Sequence, residues 1–489
     1  MKTSASPAKP RRIQRGAASL VVVMLLFFVL SLTAAYTNRN LIFEQKTSAN
    51  QSRSTAAFEA AEAGIEWALA QLNGGIVDTS CTNTAPTTSF QQRYLTFSAA
   101  GVISQTPRAG NSDVPRIWPT CVFNGATWDC TCPINAAADP AAPAGAGPFP
   151  AFRVWLSTPE PTTAAVPPAN AASSPWVAVS PARPGFAFIN SVGCTRLPAA
   201  GETCLDFIPR GEIGEGVSFQ RTTLALRSGL GVVPAAAVTA GLAVTPAASP
   251  APPLKLVNKD YRSNGLTVSF AEGATFLSSR FVAETIDGTP PELSFSADSR
   301  IRDLYTNLAP ATVPPAPPAL TGGERMFVSI FGMKRATYRN QPGLRVCTSP
   351  CSAANVNTLL QNNPDRVIWV DGDLTVNAPI GSVGTPVLMI VDGDTITMDP
   401  FMSIFGFVYI TGAGSVAPDT SKLMLPDNQT FIQGALVAEG NLVTEYAGTP
   451  AASSFLTVTY DAAILDRLRQ TYGSWVRLGA AWRDFKVAP

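Results

Sequence analysis

Residues 14–71 read QRGAASLVVVMLLFFVLSLTAAYTNRNLIFEQKTSANQSRSTAAFEAAEAGIEWALAQ, and this stretch decides the N-terminal element of the fold. Ala17 to Ala35 contains no charge, proline or glycine, which is the length needed to cross roughly 30 Å of hydrocarbon as a helix. The pattern runs on through Tyr36, Asn38 and Arg39 without a helix breaker until Gly64, so a single helix is predicted over residues 17–73. At 1.5 Å per residue it is roughly 85 Å long, so much of it stands clear of a bilayer. In its second half Phe58, Ala61, Ile65, Leu69 and Leu72 recur at helical spacing and share one face, with Glu59, Glu62 and Glu66 elsewhere.

Upstream, Met1 to Gly16 carries Lys2, Lys9, Arg11, Arg12 and Arg15 and no acid. A secretory signal is cut after its apolar run, whereas here the small residue stands before it. By the positive-inside rule this basic stub stays cytoplasmic and the remainder is exported.

Arg15-Gly16-Ala17-Ala18-Ser19-Leu20, the uninterrupted apolar helix and Ala57-Phe58-Glu59-Ala60-Ala61-Glu62-Ala63-Gly64 together resemble type IV prepilins of the PilX-type minor pilin family, to which GspK-type pseudopilins are related. The resemblance covers about 60 of 489 residues. It implies cleavage between Gly16 and Ala17 by a prepilin peptidase, N-methylation of Ala17, and packing of the helix in a filament through Leu20, Val21, Met24, Phe28, Phe58, Ile65 and Leu69. The implied partners are the inner membrane, major pilin, other minor pilins and a tip adhesin; the implied location is the inner membrane with a periplasmic body, then the extracellular pilus tip. Two residues depart from the family pattern: Ala17 replaces the usual phenylalanine or methionine, and Val21 occupies the fifth mature position, where most pilins carry glutamate. A bilayer carboxylate costs a few kcal/mol unless paired. A subunit with none above it gains nothing from that glutamate, so Val21 fits a tip position.

Across the chain, charged residues are 14% against roughly 25% in typical soluble proteins, and 37 glycines with 42 prolines point to strands and loops. The fold class expected is therefore α+β: the long helix, then a β-rich body. The organisation expected is a leader (1–16), the helix (17–75, its membrane part 17–36), a strand-rich region with Pro/Ala-rich loops (76–253), a β-helix-like domain (254–445) and a C-terminal segment with a short helix (446–489). Within the strand-rich region Phe152–Leu156, Trp176–Val179 and Thr222–Leu226 read as strands, while 136–150, 159–175 and 234–253 read as linkers. A further linker is expected at 309–320.

The β-helix expectation rests on one phrase used four times: Val367-Ile368-Trp369-Val370-Asp371-Gly372, Val387 to Gly393, Phe407 to Gly412 and Ala435 to Gly440. An apolar strand and a glycine turn recurring near every twenty residues suits stacked coils, with a β-sandwich of hairpins as the other reading.

Eight cysteines in an exported chain point to disulfides. Cys347/Cys351 and Cys194/Cys204 are near enough to close local loops, while Cys81, Cys121, Cys130 and Cys132 have no unique pairing, and a zinc site at the last three is an alternative.

The chain has no histidine, which excludes Ser-His-Asp and Cys-His catalysis and His-ligated metals, and no phosphate-binding GxxxxGK[ST] loop. No cofactor and no enzymatic activity are expected. Asp371, Asp373, Asp392 and Asp394 are a calcium candidate if they stack, and otherwise turn residues. Without the leader's five cations the acids predominate, so no nucleic-acid grip is expected of the body. The reading from another class is an envelope-anchored β-helix protein binding or processing polysaccharide.

Overall fold

A computed structural model describes residues 15–82, 88–98, 101–105, 118–134, 138–145, 147, 149–157, 185–198, 204, 215–248, 251–306, 321–415, 419–450 and 455–479. The leader before Arg15, the strand expected at 176–179, and the linkers at 159–175 and 309–320 lie outside the described residues.

Helix α1, Arg15–Leu72, is one uninterrupted rod of 58 residues, about 87 Å long. Its last turns pack on an antiparallel sheet of order β27-β9-β8-β7-β5-β6. The strands are β5 (Thr120–Phe123), β6 (Trp128–Thr131), β7 (Ala151–Ser157), β8 (Phe186–Cys194), β9 (Val217–Ser228) and, from the far end of the chain, β27 (Gly473–Arg477). The helical face in contact is Ala57, Ala60, Ala61, Ile65, Ala68 and Leu72, mostly small residues that allow close approach. A Cβ on Gly193 of β8 would lie 2.2 Å from the Ala57 carbonyl oxygen, so the sheet can touch the helix there only through glycine. Phe58 and Leu69, expected at the centre of this face, lie half-buried at its margins because the sheet takes the small-residue side. Short pieces fill the flank: β1 (Ile76–Val77) with β2 (Thr88–Ser89), α2 (Phe90–Tyr94), and β3 (Leu95–Phe97) with β4 (Ile103–Gln105).

The second layer is a parallel ladder. Its lowest level is β16 (Leu344–Cys347) and β17 (Cys351–Ser352). Above it come β18 (Val367–Asp371) with β19 (Leu374–Val376), β20 (Val387–Asp392) with β21 (Thr395–Met398), β22 (Ser403–Ile410) with β23 (Thr420–Leu425), and β24 (Thr430–Ala438) with β25 (Asn441–Tyr446). Each strand pairs in parallel with its counterpart on the next level, so the four repeated phrases do stack, and hairpins are not the organising unit.

Beyond β24 and β25 the ladder stops following chain order. The first half of β24 pairs with β26 (Leu456–Tyr460), while its second half pairs with β10 (Val238–Ala240), and β25 pairs with β11 (Val244–Thr245). The next level is β12 (Leu254–Val257) on β26 and β13 (Val268–Ala271) on β10. The last is β14 (Phe281–Glu284) on β12 and β15 (Phe295–Asp298) on β13. One level is thus assembled from two segments more than 200 residues apart. Residues 234–253, which read as a Pro/Ala linker, contribute β10 and β11, because Val238 and Val244 are buried in the ladder core.

The ladder's strands are covered on both sides. Ile368, Val370, Met389, Val391, Val408 and Ile410 face the interior. Trp369, Ile390, Phe407 and Tyr409 face a second core under helices α4 (Gly322–Phe331), α5 (Arg335–Arg339) and α7 (Ala462–Thr471). Burial of both faces is why these strands read as unbroken apolar runs and not as alternating ones. In α7 Ile464, Leu465 and Leu468 point inward, as the sequence pattern predicts. Helices α3 (Ser299–Thr306) and α6 (Ala353–Asn362) complete the body.

Four disulfides are present: Cys81–Cys132, Cys121–Cys130, Cys194–Cys204 and Cys347–Cys351. The two local loops pair as expected, and the four cysteines left open in the sequence form bridges. Cys121, Cys130 and Cys132 do not form a zinc site, since all three are oxidised.

Candidate assembly interface

From Ser19 to Thr55 every residue of α1 is exposed, about 55 Å of helix, and near the end of this stretch Gly216 of the body lies against the Arg53 backbone. Leu20, Val21, Met24 and Phe28 lie in this segment, each more than half exposed, within the one helix among the described residues that is long and apolar enough to cross a membrane. Side chains at Gly16 and Ala17 lie outside the described residues, although the backbone there is already helical. Of the other filament-packing residues, Ile65 is fully buried in the body, and Phe58 and Leu69 keep part of their surface free. An exposed run of valine, leucine and phenylalanine on this scale is stable in water only with lipid or protein around it.

Besides packing on the antiparallel sheet, α1 is tied to the ladder at its C-terminal end. The last carbonyls of a helix have no intrahelical partner, and here arginines of the ladder supply them. Arg366, fully buried, donates to the carbonyls of Leu72, Gly74 at 3.3 Å and Gly473 at 3.1 Å. Arg345 donates to the Asn73 carbonyl at 2.6 Å. Asn73 exchanges two hydrogen bonds with the Trp475 backbone, at 2.9 and 2.8 Å, and the Trp475 indole donates to Gln91 at 2.8 Å. Burial pulls the Arg366 guanidinium down to about 10, which leaves it charged at neutral pH. Helix, antiparallel sheet and ladder therefore meet at one buried cation. Sequence reasoning missed it: an arginine beside an apolar strand carries no local sign of burial, and its acceptors lie more than 100 residues away in both directions.

The four aspartates proposed as calcium ligands are otherwise engaged. Asp371 and Asp392 are register neighbours, as stacking requires. Asp371 accepts two hydrogen bonds from Arg339 at 2.6 and 2.7 Å, and Asp392 accepts from Thr411 at 3.2 Å with Arg335 at 3.9 Å. Asp373 accepts the backbone amides of Asp394 and Thr395, one level up, at 3.1 and 3.0 Å, and Asp394 accepts from the Thr395 hydroxyl at 2.7 Å. Among the described residues no group of three or more acidic or cysteine side chains is placed to hold a metal ion. The turn role is what the geometry displays, with one aspartate closing the turn of the next level in place of its own.

Beside them is a second buried polar cluster. Glu439 contacts Arg335 and accepts from the Tyr409 hydroxyl at 3.1 Å, with Asp419 nearby bonded to Tyr305 at 3.0 Å. Glu324 and Asp392 face the other side of Arg335. Burial pushes the Glu439 carboxyl up to about 7 from an ordinary 4.5. A carboxyl raised on folding binds a proton that the unfolded chain releases between those values, so stability falls as pH rises from about 4.5 to about 7, by at most about 3 kcal/mol. In urea titrations between pH 5 and pH 8, Glu439→Gln is expected to flatten this slope; an unchanged slope would assign it to other groups.

Three comparisons bear on this geometry. Residues 15–66 match the PilX N-terminal family model, which spans the free half of α1 and most of its packed half. Over these residues the chain is similar to the PilX family. That match covers roughly a tenth of the sequence, and it takes in Gly16, Ala17 and Val21 but not the ladder. No curated protein matches the chain. A competence-associated pilin, ComZ from Thermus thermophilus, overlays 88% of this chain and 97% of its own at 11% identity, with a TM-score of 0.19. An overlay that loose carries no inference about fold or role. Pilin-like proteins are in general not enzymes.

Proposed function

We propose that this chain is a minor pilin of a type IV pilus, seated at or near the filament tip, and that it acts in pilus assembly through binding alone. The observation that carries the reading is the exposed apolar half of α1, continuous with a half anchored in the body. In the inner membrane this segment is solvated by lipid; in a filament the same side chains, Leu20, Met24 and Phe28 among them, pack against helices of the major pilin and other minor pilins. The exchange of lipid for protein neighbours favours close packing and leaves no polar group unpaired. Val21 supports a terminal position, since a subunit with none above it has no use for a glutamate there. The bulk of the body suits an end better than a shaft, and its outward surfaces are free for a tip adhesin. Cleavage by a prepilin peptidase after Gly16 and methylation of Ala17 belong to this reading.

Mass spectrometry of the native protein tests it. A polypeptide beginning at N-methylated Ala17, recovered with sheared filaments or their assembly machinery, is the expected result. A polypeptide still beginning at Met1 would instead support a membrane-anchored, polysaccharide-binding role.

A further inference from the structure

The two ends of the parallel ladder are unlike. At the lower end β16 and β17 are covered by α6 and by the end of α1, where Gly75 sits against Asn362 and Asn363. At the upper end β14 pairs only with β12 and β15 only with β13 among the described residues. Backbone groups alternate in direction along a strand, so the bonds already made identify those left over. The Glu284 carbonyl accepts from Asn258 on the β12 side, and the Ser294 and Asp298 carbonyls accept from Thr267 and Glu272 on the β13 side. The N–H and C=O groups of Ala283 and Ala297 therefore point away from the ladder.

The apolar interior is open at this end as well. Ala283 and Ala297 stand in register over the buried Leu256 and Phe270, yet Ala283 is half-buried and Ala297 exposed. Phe276 stacks between Phe270 and Phe281 at ring separations of 4.5 and 4.7 Å, with Phe295 at 5.1 Å, and these rings form the floor. Leu277, Val282 and Leu293 stand exposed around it. On the rim Glu272 and Glu284 are held by Arg302 and Lys255, which leaves Asp287, Glu292 and Asp298 against Arg280 and Arg300. Arg280 is already turned inward to the carbonyls of Ala247 and Ala251.

We propose that this end accepts one further extended strand from a partner protein, laid along β14 and β15, apolar at alternate positions and flanked by basic residues. The backbone of Ala283 and Ala297 supplies its hydrogen bonds, the phenylalanine floor takes its inward side chains, and the acidic rim selects its charge. Among the described residues this is the face of the ladder farthest along the stack from α1, so occupancy does not compete with helix packing.

The probe is a pair of twelve-residue peptides of alternating valine and threonine, ended by lysines in one and glutamates in the other, added to the full-length protein in detergent micelles. Hydrogen exchange at the Ala283 and Ala297 amides is expected to slow about tenfold or more with the lysine peptide and to be unchanged with the glutamate peptide. Ala283→Pro removes a donor that no ladder bond uses and is expected to abolish the effect while exchange at Val408 stays as in wild type. Should that variant unfold, Asp287→Lys with Glu292→Lys, both exposed, is expected to reverse the peptide preference. No slowing with either peptide, or equal slowing with both, overturns the proposal. So does slowing that grows with protein concentration and no peptide, which assigns the edge to a second copy of this chain. Strand acceptance concerns the body alone, so it can fail while the N-terminus is still processed, and the reverse.

Discussion

Arg366→Met is expected to destabilise the protein by about 3–5 kcal/mol in denaturant titrations, one of the two largest single-residue losses foreseen here. The methionine keeps the stem's volume, so the loss comes from the buried carbonyls of Leu72 and Gly473 and the part-buried one of Gly74, left without this donor. Water cannot replace the guanidinium at a side chain with no exposed surface. Because those carbonyls belong to the end of α1 and the start of β27, the same substitution should release the helix terminus from the ladder, seen as faster hydrogen exchange at Asn73 and Trp475. Arg302→Met is the matched control: its partners Glu272 and Asp303 are half-exposed surface carboxylates, and the change should stay within about 1 kcal/mol. A loss that small at Arg366 would show that it is not the junction described.

Gly434→Ala is expected to cost about as much, about 3–5 kcal/mol, for a different reason. β22 and β24 bend at Gly406 and Gly434, which are register partners with φ of 145° and 136°. A Cβ on Gly434 would lie 1.9 Å from the Gly406 carbonyl oxygen, and one on Gly406 would lie 1.9 Å from that of Val387. Backbone in a ladder cannot move aside without breaking its own hydrogen bonds, so strain and overlap add. Gly448→Ala, with nothing within 4 Å of the added carbon, should change stability little. Equal small effects at both positions in urea unfolding would mean the corner is softer than the stacked glycines imply.

The parts of the candidate site that were legible are those in which chemistry is local. That Leu20, Val21, Met24 and Phe28 lie on an apolar helix clear of the body core could be read directly, because an uninterrupted apolar run of that length is local in the sequence. The disulfides at Cys194–Cys204 and Cys347–Cys351 were readable because short loops bring their ends together anyway. Cys81–Cys132 and Cys121–Cys130 were not, since the β5–β6 hairpin decides which of three nearby cysteines faces which. The acidic line at Asp371 and Asp392 was foreseen in its spacing, with calcium binding and a turn role both left open. Arg335 and Arg339, from a helix more than thirty residues upstream, occupy positions where a cation had been entertained.

What the amino-acid order determined by itself is what repeats at short range: a helix from Arg15 to Leu72, because no residue before Gly64 interrupts it, and parallel strands at four glycine-closed phrases, because each phrase has the same period and the same two apolar faces. What only the tertiary structure decided is how separated segments complete one another. β10 and β11 enter the ladder from a stretch too rich in alanine and proline to announce a strand; their pairing is stabilised by burial against β24 and β25, which no local propensity encodes. The cation that joins helix to ladder and the strand edge at the other end, which has no partner among the described residues, arise in the same way, since whether a backbone group is paired depends on what lies across space from it and not on its neighbours along the chain.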